Sequence, residues 1–175
     1  MKAALQNKNG LPAYKMTESY ISGTAFHIYL SNDYPAYVYV ISSDQTNNVT
    51  MQFPPNDRTS AALFGKTNEI ALPDEDKDSL FYLDDEAGTT YALALFSLDP
   101  LPIDNIIQKI HDNRGSFAQK TKNAIGNDLI PFEEIKLERD KIKFSSKSSK
   151  KIMAVVVEIE HRDRNNKYKG KRGGD

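Results

Sequence analysis

The sequence predicts a mainly β protein, an antiparallel β-sandwich carrying a short two-helix insertion, and three observations lead there. Residues 37–41 (Tyr-Val-Tyr-Val-Ile) and 91–96 (Tyr-Ala-Leu-Ala-Leu-Phe) are apolar at every position, as strands covered on both faces must be. Further short segments of β character recur, separated by turn residues. The pattern breaks after Pro102, where Ile103, Ile106, Ile107 and Ile110 fall at i, i+3, i+4 and i+7 and mark one face of a helix.

Taken in chain order, residues 22–30 alternate, with Ser22, Thr24, Phe26, Ile28 and Leu30 on one face and Gly23, Ala25, His27 and Tyr29 on the other. They read as one half-buried strand. A Ser-Asn-Asp turn at 31–33 leads to the doubly apolar 37–41, expected at the centre of a sheet. Asn47 and Asn48 turn the chain into Val49, Met51 and Phe53, a hairpin partner ended by Pro54 and Pro55, which cannot donate to a ladder. Shorter strands are expected at 68–72 and 79–83, and Gly88 supplies the turn into a strand over 90–97.

Pro100 and Pro102 precede the first helix, Ser116-Phe-Ala-Gln119 is a capping box, and Gly126 is a natural stop for a second helix over 116–125. From Pro131 the chain returns to β, with Ile135 and Leu137 facing Ile142 and Phe144 across a polar turn. Residues 145–151, four serines and three lysines, read as a basic flexible loop, and 152–159 as a last strand with Val155, Val157 and Ile159 on one face. The expected organisation is one β-sandwich domain over 1–161, helical insertion at about 102–126, and a basic disordered tail over 162–175.

Composition narrows the function classes. A chain of 175 residues, 39% apolar and 27% charged, has the means to build one core. No apolar run is long enough for a helix to cross a bilayer. The first ten residues contain no apolar h-region, so no export signal is expected in them; were a signal removed, the periplasm or extracellular space would be favoured over the cytoplasm. Zero cysteines exclude disulfides, thiolate metal sites and cysteine nucleophiles. A formal net charge of −1 offers no global field for an anionic polymer.

No catalytic residues emerge. A serine or threonine nucleophile needs a base, yet no Gly-x-Ser-x-Gly elbow is present, and His27, His111 and His161 read as surface histidines. No glycine-rich phosphate loop lies between a strand and a helix, and no cofactor is expected. The metal candidate is a calcium loop in which Asp74, Asp76 and Asp78 have the D-x-D-x-D spacing and Asp85 falls at position twelve. It departs from that pattern at Ser79 in the glycine position, at an aspartate where glutamate belongs, and in its strand-like flanks; the alternative is a solvated acidic turn. Basic residues collect over 136–151 and 162–172, but with only Tyr168 to stack in the tail nucleic acid is not favoured. Tyr34, Tyr37 and Tyr39 are the candidate binding residues, because tyrosine joins apolar area to a polar tip, and they point to a protein or peptide partner.

One resemblance bears on these expectations. Tyr37-Val-Tyr-Val-Ile-Ser42, Gln52-Phe-Pro-Pro-Asn56, Glu69-Ile-Ala-Leu-Pro73 and Ala87-Gly-Thr-Thr-Tyr-Ala-Leu-Ala-Leu-Phe-Ser97 follow one another in an order that resembles an uncharacterised bacterial β-rich domain family. The likeness spans about residues 26–103 and implies an accessory or ligand-sensing role, since such domains sit beside caspase-like peptidase or protein kinase modules or in exported proteins. It implies no catalytic residues. The functional expectation is a non-catalytic binding or accessory module; the alternatives are a calcium-stabilised extracellular or periplasmic domain and a hydrolase with an unrecognised site.

Overall fold

The computed structural model describes residues 3–44, 48–64, 68–73, 80–138 and 142–163. The chain opens with a hairpin that the sequence reading did not anticipate, β1 (Ala3–Lys8) and β2 (Leu11–Met16). Asn9 and Gly10 join them with φ of 54° and 84°, the pair of positive values that a two-residue type I′ turn requires. Next come β3 (Tyr20–Ile21), β4 (Ala25–Phe26) and β5 (Ile28–Asn32). The single strand expected over 22–30 is therefore broken, and one break falls at Gly23, whose φ of 74° a residue with a Cβ rarely adopts.

The remaining strands are β6 (Ala36–Ser43), β7 (Val49–Phe53), β8 (Ala62–Leu63), β9 (Asn68–Leu72), β10 (Phe81–Tyr82) and β11 (Gly88–Ser97), followed by helices α1 (Ile103–Asp112) and α2 (Phe117–Ile125). Then β12 (Ile135–Leu137), β13 (Phe144–Ser146) and β14 (Ile152–Arg162) complete the described chain. One large sheet has the order β1-β2-β14-β11-β6-β7, with β3 also on β14 and β8 also on β6. Its pairings are antiparallel except where β14 meets β2 and β3, which run parallel to it. The outline expected, mainly β with two helices, is the one observed.

Alternation along the sheet sorts its side chains into two layers. Toward one face point Tyr39, Ile41, Leu93, Leu95, Ala154 and Val156, which bury α1 and α2 through Ile106, Ile110 and Phe117. The isoleucine stripe read from the sequence is thus the buried stripe of α1. The Ser116 hydroxyl accepts the Gln119 N–H at 3.3 Å and caps α2. Tyr39 anchors the approach to α1, its hydroxyl accepting the Leu101 N–H at 3.0 Å. Toward the other face point Val38 and Val40, packed on Leu72, and Tyr14, Met153 and Val155, packed on Ile130 and Ile135. Small two-stranded sheets, β5·β9, β4·β10 and β12·β13, stand on this side.

Two boundaries differ from expectation. The stretch read as a flexible basic loop starts inside β13, and its backbone N–H groups at Ser148 and Lys150 donate to the Ser146 and Ser148 hydroxyls. Lys151 then pairs with Asp99 at 2.6 Å. β14 continues to Arg162; residues 164–175, most of the expected tail, lie outside the described residues.

Leu93 is wholly buried, with Ile41 and Val156 as its register partners on either side. Leu93→Ala is expected to cost about 2–5 kcal/mol, a fall in melting temperature on the order of 10 °C for a domain of this size. A thermal melt shifted by less than about 2 °C contradicts the placement of Leu93 at the centre of the core.

Candidate functional site

On β11 large and small side chains alternate. Leu93 and Leu95 fill the helix side, while Ala92 and Ala94 face the small sheets. Beside Ala94 stand Val40 and Val155, and beside Ala92 stand Ser42 and Val157, so this part of the floor is low. Above it lies a cavity of about 460 Å³, walled by Phe26, Ile28, Leu30, Leu83, Phe96 and Phe144. No Asp, Glu, Lys or Arg is among its described lining residues. At about 24 cal/mol per Å³, a sealed void of this size would cost on the order of 10 kcal/mol, comparable with the whole stability of a domain. The cavity is therefore a place for solvent or a ligand, and its apolar walls favour an apolar ligand over water.

A second cavity of about 250 Å³ shares Phe26, Ile28, Val40 and Ala92 with the first. Its remaining lining is largely polar and includes Ser42, Asp44, Thr50, Gln52, Asp84 and Thr90. The change follows directly from sequence order on two strands. Moving one way along this face, β6 presents Val38, Val40 and Ser42, and antiparallel to it β11 presents Phe96, Ala94, Ala92 and Thr90. Both strands thus pass from apolar to hydroxyl-bearing in the same direction. Gln52 on β7 donates to the Ser42 hydroxyl at 2.6 Å, and the Asp44 carboxylate accepts the Asn48 N–H and side-chain amide at 3.1 Å each.

The candidate residues read from the sequence do not gather in one place. Tyr34 is 80% exposed, Tyr37 is half-buried with its ring edge-on to Phe64, and Tyr39 is buried beneath the helices. Asp85 is exposed in the loop before β11, and Asp74, Asp76 and Asp78 lie outside the described residues. Among the histidines, His111 is exposed beside Asp112 and His27 is half-buried in the wall of the large cavity. His161 corrects the surface reading, since it is 5% exposed within β14.

His161 is the centre of a buried polar chain. Its Nδ1 lies 3.0 Å from the Ser22 hydroxyl and its Nε2 lies 3.2 Å from the Thr90 hydroxyl. Thr90 in turn donates to Asp84 at 3.5 Å. A carboxylate oxygen accepts, so Thr90 gives its proton to Asp84 and accepts from Nε2–H of His161. Ser22 and Thr90 are 3% and 8% exposed, and the chain reaches the surface at Asp84, which is exposed. Its geometric effect is to tie the end of β3, the start of β11 and the end of β14 together. Backbone bonds from Ser22 to Arg162, and between Thr24 and Leu83, extend the tie to the cavity wall, where Thr24 and Leu83 stand. His161→Ala leaves two buried hydroxyls without their partner and is expected to lower the stability by roughly 1–3 kcal/mol in a denaturant titration. An unchanged midpoint contradicts the tie.

Neither a curated protein nor a solved structure matches the chain. The described lining of the polar cavity falls within residues 19–100, whereas the apolar cavity also needs Met16, Phe144 and the β14 residues beyond that span. Over residues 19–100 the chain contains a domain that matches the family described as a domain of unknown function, DUF4384.

Proposed function

We propose that the protein is a non-catalytic binding module that takes an apolar ligand into the cavity over Ala92 and Ala94. The observation that carries this reading is the cavity itself, about 460 Å³ of apolar-walled space above a floor that includes Ala92 and Ala94. That volume lies in the range of small-molecule sites, which are concave, mostly apolar and edged by a few polar groups. A second support is chemical. The described histidine with hydroxyl partners, His161, lies in neither cavity's lining, and its serine is buried behind the wall.

An accessory role with a protein or peptide partner draws support from exposed aromatic rings at the same place. Tyr29 in the wall of the apolar cavity and Tyr82 in the wall of the polar one are 56% and 62% exposed, and such rings are favoured at interfaces.

The test is a fluorescence titration with N-phenyl-1-naphthylamine, an uncharged apolar probe. The intact protein is expected to bind it saturably, one probe per chain. Ala94→Leu raises the floor and should weaken binding at least tenfold while the melting temperature holds or rises, because added methylenes enter open space. Absence of saturable binding, or equal binding by a folded Ala94→Leu protein, overturns the proposal. Should Ala94→Leu fail to fold, Ala92→Val makes the same comparison at the neighbouring floor position.

A further inference from the structure

We infer, building on the binding reading above, that the ligand is a small amphiphile whose hydrocarbon body occupies the apolar cavity and whose other end is cationic. The two cavities share Phe26, Ile28, Val40 and Ala92, so a molecule lying on Ala94 and Ala92 comes to the polar residues at its far end. That end is described by its charges. Asp44 and Asp84 are in the lining, and no Lys, Arg or His is among the polar cavity's described residues. Hydroxyls at Ser42 and Thr90 and the Gln52 amide add polar contacts without adding positive charge.

Asp84 is the residue on which the charge preference turns. Its carboxylate accepts from Thr90, a neutral donor, and makes no ion pair among the described residues, which leaves it a charge for an ammonium group to meet. A carboxylate-ended amphiphile would face repulsion from the same group. At about 4 Å in water-like surroundings one such pair changes binding roughly fivefold. Between a cation and an anion of equal chain length the difference is then at least about tenfold.

The experiment displaces bound N-phenyl-1-naphthylamine from the full chain with decylammonium, decanol and decanoate, each below its micellar concentration. The expected order is decylammonium before decanol before decanoate, with the cation effective at a concentration at least about tenfold below the anion. Asp84→Asn keeps the oxygen that accepts from Thr90, so the protein stays folded by thermal melt, and the gap narrows at least about tenfold because both the attraction and the repulsion are lost. Raising salt to 0.5 M narrows it as well. Decanoate displacing the probe as well as decylammonium overturns the cationic assignment while the binding reading stands, and a gap unchanged in Asp84→Asn removes Asp84 from the site. Failure of the probe to bind at all takes away the binding reading, and this inference with it.

Discussion

β11 is bonded along one edge to β14 from Gly88 to Ser97 and along the other to β6 from Tyr91 to Ser97, so almost none of its backbone faces water. A strand held this way needs cover on both faces, because its side chains alternate and every position is directed into a layer. One layer is supplied by the two helices and the other by the small sheets. The identity of each β11 side chain therefore decides how closely a whole layer can approach. Leucine at 93 and 95 draws the helices into contact, whereas alanine at 92 and 94 leaves the opposite layer standing clear of the floor.

The same ladder explains how polarity is distributed over the cavities. Antiparallel pairing sets Ala94 beside Val40 and Ala92 beside Ser42, and one step further Thr90 stands beside Ile159 on β14. An apolar space and a polar one thus share a continuous floor without any loop having to bring them together. At the polar end His161 joins Ser22 and Thr90, and it holds the β3 segment close to the wall that Thr24 and Leu83 form. Buried hydroxyl and imidazole groups are tolerated there because each has a partner, and this is also why the arrangement is sensitive to the loss of any one of them.

Much of the frame was legible in the sequence because its signals are local. The doubly apolar runs at β6 and β11, the isoleucine period of α1 and the Ser116 cap of α2 each depend on residues a few positions apart. The opening hairpin is equally legible in principle, through Asn9-Gly10 between two β segments, a pair that favours a two-residue turn. What resisted reading is non-local. The parallel meeting of β14 with β2 and β3 turns residues 152–162 into the middle of the sheet, and that placement buries His161, which from sequence alone stands at the edge of a basic tail. Residues 22–30 alternate as one strand would, yet Gly23 turns the chain ahead of β4, and β4 and β5, separated only at His27, serve different sheets. The cavity was hidden for a simpler reason. Ala92 and Ala94 read as ordinary strand alanines, and only their cross-strand neighbours show that nothing larger fills the space above them.

If β11 is the strand on which both layers depend, its amides should be the last to exchange with solvent. Native-state hydrogen exchange measures this directly, residue by residue. The amides of Leu93 and Leu95, together with those of Val155 and Val156 on β14, should exchange only through global unfolding, with opening free energies equal to the stability from denaturant titration. Amides of α1, α2 and the β12·β13 pair should open at lower free energy. The account is contradicted if β11 exchanges through a local opening while the helices remain protected.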